Sequence, residues 1–223
     1  ISYEEKTPLK DLTLDNLFID IGAKDAEEAR KLVQIGDFAV YEAPRFEQNG
    51  VLCGPYLDNR IGCVTLLLMM EQLADKEIEN DLYFVFTAQE EVGLRGAGAA
   101  AFAVEPDAAI AVDVTGDLPE MKSAMAVELG KGPAVKVMDR SVICTPAVVD
   151  ALEQAAKDCG VSAQREILLC GGTDTSALQK ARAGVQAGAV SIPTRYIHSP
   201  SELCAVSDVE DAAKLLAQYA LRK

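Results

Sequence analysis

The chain has 223 residues, enough for one sizeable α/β domain or for one domain and part of another. Its 21 basic and 35 acidic residues leave a formal net charge of −14, which repels phosphate backbones and anionic lipid and argues against nucleic acid or a membrane surface as partner. No apolar run is long enough to span a bilayer, and the opening Ile1-Ser2-Tyr3-Glu4-Glu5 is polar and acidic, unlike a secretory leader.

Residues 1–56 have their own texture, with short β-like runs at Leu17–Ile21 and Phe38–Glu42 and one helix. That helix is predicted to open at Asp25, with Glu28 three residues on as in a capping box. From Leu57 onward strands and helices alternate. Residues 59–74 present a broad apolar helical face through Ile61, Val64, Leu67 and Leu68. Leu82–Thr87 is an aromatic and β-branched run that reads as a buried strand. A Gly/Ala-rich helix is expected around 94–103, then a second buried strand at Ala108–Val114 and a third at Ala134–Met138. Thr145-Pro146 opens a helix to about Cys159, with proline at its first position. Ala163–Leu169 and Val185–Ile192 read as strands separated by a helix that starts near Asp174, and Ser207-x-x-Glu210 reads as a capping box for a terminal helix. The alternation predicts an α/β fold, a mostly parallel sheet with helices on both faces.

The six cysteines form no C-x-x-C pair and sit among apolar or small residues. They read as reduced, partly buried residues of a cytoplasmic protein rather than as a zinc or redox site.

The chemistry-bearing residues fall at strand ends, where open α/β sheets build their sites. Asp58 precedes the 59–74 helix, Glu90 and Glu91 follow the Leu82–Thr87 run, Asp113 lies inside an apolar strand, and His198, the single histidine, follows the last strand. Each has a bland explanation: a helix N-cap for Asp58, a solvated turn for Glu90 and Glu91, a hydrogen-bonded structural role for His198. Asp113 is harder to explain away, because a buried acid is costly unless paired or metal-bound. Four carboxylates and one imidazole suit Zn²⁺, Co²⁺ or Mn²⁺. Adjacent Glu90 and Glu91 point in opposite directions in an extended segment, so one can hold metal while the other meets a water. Gly171-Gly172-Thr173-Asp174 is a loop leading into a helix; it reads either as a substrate contact through its backbone N–H groups or as a Gly-rich turn with an Asp cap.

Five segments occur in order: Phe18-Ile19-Asp20-Ile21-Gly22-Ala23, Leu57-Asp58-Asn59-Arg60-Ile61-Gly62, Thr87-Ala88-Gln89-Glu90-Glu91-Val92-Gly93, Gly171-Gly172-Thr173-Asp174 and Arg195-Tyr196-Ile197-His198-Ser199. Together they resemble the tetrahedral aminopeptidases, a cytosolic two-metal family that includes glutamyl aminopeptidases and some proteins once labelled cellulases. The resemblance implies peptide substrates, two divalent ions, and a homo-oligomeric tetrahedral dodecamer. It makes Asp58 the bridging ligand, Glu90 the general base, Glu91 and His198 ligands of one ion, and Asp113 a ligand of the other. The family shows two aspartates where this chain has Asp58-Asn59, and a second histidine ligand in a segment upstream of residue 1 in this numbering. The resemblance therefore implies a fragment: 1–53 as the last part of a small β-rich dimerisation domain, 54–223 as a catalytic domain without its first portion. Such a fragment is expected to bind at most one ion well and to be weakly active or inactive. A glycosidase and a non-catalytic family member are the alternatives.

Overall fold

The computed structural model describes residues 2–3, 13–116 and 127–222. The chain divides into two units, Ile1–Tyr41 and Glu42–Lys223. In the first, β1 (Ser2–Tyr3) pairs antiparallel with β2 (Leu17–Phe18), and α1 spans Ala26–Leu32. Asp25 caps α1 as the sequence predicts, accepting the N–H groups of Glu27 and Glu28 at 2.9 Å, while Glu28 reaches back to the Lys24 N–H. Phe38–Glu42 is not a strand: it has no pairing partner among the described residues, and Phe38 is 98% exposed. Of residues 1–53, positions 1 and 4–12 lie outside the described residues.

The second unit opens with β3 (Phe46–Gln48) and β4 (Val51–Gly54), followed by α2 (Leu57–Leu73), α3 (Arg95–Val104), β5 (Ala108–Gly116) and β6 (Ala134–Met138). It continues with α4 (Pro146–Asp158), β7 (Gln164–Ile167), α5 (Thr175–Gln179), β8 (Gln186–Arg195), β9 (Glu202–Ala205) and α6 (Val206–Ala220). One mixed sheet runs β3-β4-β9-β8-β6-β7, with β5 on the other flank of β8. Its longest ladder is parallel, Ala108–Gly116 of β5 against Gln186–Thr194 of β8, and β6–β7 is parallel as well. The pairs β3–β4, β4–β9, β8–β9 and β6–β8 are antiparallel and short.

Alternation along β5 separates the two faces. Ile110, Val112 and Val114 join the main core with residues of α2, α4 and α6, whereas Ala109 joins a smaller cluster with Ala101 of α3 and Leu178 of α5. Helices thus cover both faces, as expected. α4 buries Val148, Val149, Leu152, Ala155 and Ala156, a helical stripe that begins after Pro146 at its first turn.

Three local expectations change. Leu82–Thr87 is neither strand nor helix and belongs to no ladder among the described residues, so its β-propensity goes unused. The Ser207 capping box is not formed, because β9 runs straight into α6 and Ser207 already lies in the helix. In that first turn Asp208 instead accepts the N–H groups of Gly130 and Gly132 at 2.7 and 2.9 Å. The strands β3, β4 and β9 were not apparent from the sequence. All six cysteines are free; Cys53, Cys144 and Cys204 are buried, and Cys63 and Cys170 are exposed.

Candidate metal centre

Asp58 stands at the start of α2, where the backbone of Asp58 and Asn59 departs from helical geometry and their peptide bond is cis. The first turn of α2 is held tightly on β5. Asn59 Nδ2 donates to the Val112 carbonyl at 2.7 Å, and the Gly62 N–H donates to Asn59 Oδ1 at 3.1 Å. Gly62 permits this approach, since a Cβ there would lie 2.9 Å from the Val112 oxygen. The contact sets Asp58 beside the carboxyl end of β5, which carries Asp113.

Glu90 and Glu91 sit in a tight turn ahead of α3, closed by the N–H groups of Gly93 and Leu94 on the Glu90 carbonyl at 3.0 and 2.8 Å. Gly96 fixes that turn to α3, where a Cβ would lie 2.6 Å from the Ala88 nitrogen. His198 lies in the loop between β8 and β9. Left-handed backbone conformations at Tyr56, Gln89, Tyr196 and His198 flank the ligands, a clustering of non-glycine residues in a sparsely populated region that is associated with functional sites.

Asp58, Glu91 and His198 converge. Imidazole Nε2 lies 3.1 Å from Asp58 Oδ2 and 3.3 Å from Glu91 Oε2, and one ligand atom from each residue falls within 4.8 Å of the others. Two carboxylate oxygens and one imidazole nitrogen match the three-protein-ligand set of catalytic zinc sites, which leaves a position for water. The donor set fits a divalent cation. Glu90 and Asp113 border the same recess without joining the three, and Asp174 lines it too. Gly171, Gly172 and Thr173 do not line it; the Thr173 hydroxyl is buried against that of Thr175 at 2.8 Å.

The electrostatics are those of crowded acids. Burial pushes Asp58 up to about 6, with Glu91 adding repulsion and His198 opposing it. Burial also raises Glu90 to about 7, helped by the charges of Asp174, Glu91 and Asp58. Asp113, only 7% exposed, is pushed by burial to about 8, although the Val114 N–H on its Oδ1 at 2.8 Å pulls the other way. A cation among these groups would relieve their repulsion.

Two contributors were not singled out from the sequence. Glu202, 2% exposed, accepts the Asp58 N–H at 3.0 Å with one oxygen and the His198 N–H at 2.8 Å with the other. The cue that marks Asp113, an acid in an apolar strand, is also present in Glu202-Leu203-Cys204-Ala205. Thr87 donates to Asp174 Oδ2 at 2.7 Å and holds it in the recess, where Asp174 Oδ1 is buried with no hydrogen-bond partner among the described residues.

The chain is 48% identical to a putative aminopeptidase of Acetivibrio thermocellus across 98% of its own length and 66% of that protein. Among solved structures, an aminopeptidase from the archaeon Desulfurococcus kamchatkensis superposes with a TM-score of 0.91 at 35% identity, over 99% of this chain and 63% of that one. The Pyrococcus horikoshii TET1 peptidase, described as assembling into a tetrahedron or a large octahedral shell, superposes with a TM-score of 0.82 at 35% identity over 92% of this chain and 60% of that one. The chain thus spans just under two thirds of the length of these proteins. The M42 glutamyl aminopeptidase family model matches residues 2–215, and the chain belongs to that family.

Proposed function

We propose that this chain is the larger, metal-binding portion of a cytoplasmic metal-dependent aminopeptidase that removes N-terminal residues from peptides. The convergence of Asp58, Glu91 and His198 carries this reading, with Glu90 beside them as an acid whose proton affinity suits neutral pH. Asp58, Glu91 and His198 hold one ion, Zn²⁺ or Co²⁺ by donor type, with Mn²⁺ the harder alternative. Asp58 and Asp113 line the same recess and would be the residues of this chain that hold a second ion. With Asp58 and Asp113 as its protein ligands here, that second position binds weakly, so the chain takes up at most one ion well.

A divalent ion bound there supplies Lewis acidity and makes a nearby water more acidic. Glu90 accepts that water's proton and returns it to the leaving amine, acting first as base and then as acid. The acidic rim of Glu91 and Asp174 attracts the free α-amine of a peptide and so restricts cleavage to its first residue. The loop Gly171–Asp174 borders the substrate path through Asp174. Residues 1–41 correspond to the end of a small dimerisation domain, 42–223, whose β3 and β4 join the main sheet, to the catalytic domain, and the whole enzyme forms a homo-oligomeric shell.

Titration with Zn²⁺ or Co²⁺ tests the reading. One tight equivalent per chain is expected, lost in His198→Ala and kept in Glu90→Gln. Two tight, equal sites, or a tight site that survives His198→Ala, overturn it. In a polypeptide that carries the relatives' full length, Glu90→Gln should abolish hydrolysis of an aminoacyl anilide and leave metal content nearly unchanged. Cellulose should not be hydrolysed by either form.

A further inference from the structure

Six acids line the recess, Asp58, Asp81, Glu90, Glu91, Asp113 and Asp174, against one basic residue, Arg60. Arg60 follows Asp58 by two residues at the start of α2 and is exposed. Its guanidinium carbon lies 5.3 Å from the centroid of the Tyr56 ring, which lines the recess as well. Among the described residues Arg60 forms no ion pair, although acids surround it in the same recess. A ring beside a guanidinium restrains it through the aromatic face and leaves its N–H donors for another partner. The group stays charged at every working pH, and its planar fork matches a carboxylate with two parallel hydrogen bonds.

What could bring that carboxylate follows from the proposed aminopeptidase activity, on which this inference rests. A substrate enters with its α-ammonium toward Glu91 and Asp174 and its first carbonyl at the metal. In a free di- or tripeptide the opposite charge lies one or two residues beyond that carbonyl, about 3–7 Å away in an extended chain. Arg60 is anchored two residues from the metal ligand Asp58, so its guanidinium serves a group at that range. The acids of the recess repel a carboxylate everywhere else, and the one cation decides where it settles. An acidic side chain on the second residue offers the same chemistry. The terminal carboxylate fits better, because amine and terminal carboxylate are the two charges that every free short peptide carries whatever its side chains.

We propose that Arg60, seated on Tyr56, is a subsite for the terminal carboxylate of a di- or tripeptide. It selects substrates by the charge at their far end, while the acids hold the amine.

Calorimetric titration of the Zn²⁺-loaded Glu90→Gln chain tests this, since the bound ligand is not consumed. Leucinamide has the amine and no carboxylate and reports on the aminopeptidase reading itself. Failure of leucinamide to bind overturns that reading and the subsite together. With leucinamide bound, leucyl-glycine is expected to bind at least about tenfold more tightly than leucyl-glycinamide, the gain of a charge-assisted hydrogen bond. With Arg60→Met added, the two dipeptides should bind alike. Arg60→Lys should recover part of the difference, because an ammonium keeps the charge and loses the fork. Zn²⁺ affinity and melting temperature in both variants should match those of the parent, which separates loss of a ligand contact from loss of structure. Equal affinity for the two dipeptides in the parent, or a preference that survives Arg60→Met, overturns the subsite and leaves the metal site as assigned. A gain confined to leucyl-glutamic acid amide or to glutamic acid α-amide overturns it too, by giving Arg60 to a side chain of the second or the first residue.

Discussion

The Asp58 N–H donates to Glu202 Oε2 at 3.0 Å, a bond that closes a loop of 144 residues between the first metal-ligand segment and the strand after the last. The second oxygen of the same carboxylate accepts from His198, so one buried side chain fixes the backbone of two ligands that arrive from opposite ends of the domain. Outer groups of this kind set ligand geometry, and their loss typically lowers metal affinity about 10- to 100-fold. Glu202→Ala is expected to weaken Zn²⁺ binding within that range. Glu202→Gln keeps one acceptor oxygen and should fall between. Competition titration against a chromophoric chelator measures both; equal affinity in all three proteins would remove Glu202 from the site.

Acid crowding gives the metal-free chain an inverted pH dependence. Asp58, Glu90 and Asp113 have folded values of about 6, 7 and 8, all raised above those of free carboxyls. Below about pH 3 these groups are protonated whether the chain is folded or not, and their effect on stability is nil. Between about pH 4 and 8 the unfolded chain releases protons that the folded chain retains, so stability falls as pH rises through this window. The metal-free chain should therefore melt at a lower temperature at pH 8 than at pH 5.5. Saturating Zn²⁺ should flatten the slope, because the cation stabilises the ionised ligands. A metal-free melting temperature that rises from pH 5.5 to 8 would contradict the assigned crowding.

The sheet carries a second buried charge cluster. Lys136 Nζ lies 2.7 Å from Glu166 Oε1, with both side chains fully buried, and Glu166 also accepts from Thr115 at 2.5 Å and Ser191 at 2.6 Å. Four strands, β5 to β8, are tied by this one carboxylate. Lys136→Met leaves the carboxylate with neutral donors alone and should cost about 3–5 kcal/mol, the typical loss when one partner of a buried pair is removed. Lys136→Met combined with Glu166→Leu should recover part of that loss, since no charge is left buried. Denaturant unfolding of the single and double variants decides; a double variant less stable than the single by the full cost of a second break would mean the pair is net stabilising.

What the sequence reveals and what it conceals follow the same physics. α4 announces itself through Pro146 and a helical stripe of buried residues, and β6 occupies the predicted Ala134–Met138, because burial on one stripe or both faces leaves a local pattern. β3, β4 and β9 are short and mixed, and only their partners make them strands. Leu82–Thr87 fails in the opposite sense: its residues favour a strand, but pairing is a property of two segments. At the site, acids at strand ends were legible because a buried acid stands out in an apolar run. The role of Glu202 was not, because the N–H groups it accepts lie 144 and 4 residues away in sequence and meet only in the fold.

Two glycines make opposite predictions for the same substitution. At Gly62 an added Cβ would press on the Val112 carbonyl at 2.9 Å and on the side chain of Asn59, so α2 must move off β5. Overpacking of this kind typically costs about 1–3 kcal/mol. The displaced turn carries Asp58, so metal affinity should fall together with stability. At Gly98 in α3 the nearest atom to an added Cβ is that of Ala177 at 3.9 Å, an ordinary contact. Gly98→Ala should therefore stabilise by up to about 1 kcal/mol through helix propensity and reduced freedom of the unfolded chain, with metal affinity unchanged. Denaturant midpoints and Zn²⁺ titration on the two variants separate these outcomes. If Gly62→Ala behaved like Gly98→Ala in both measurements, the close approach of α2 to β5 would not be what holds Asp58 in place.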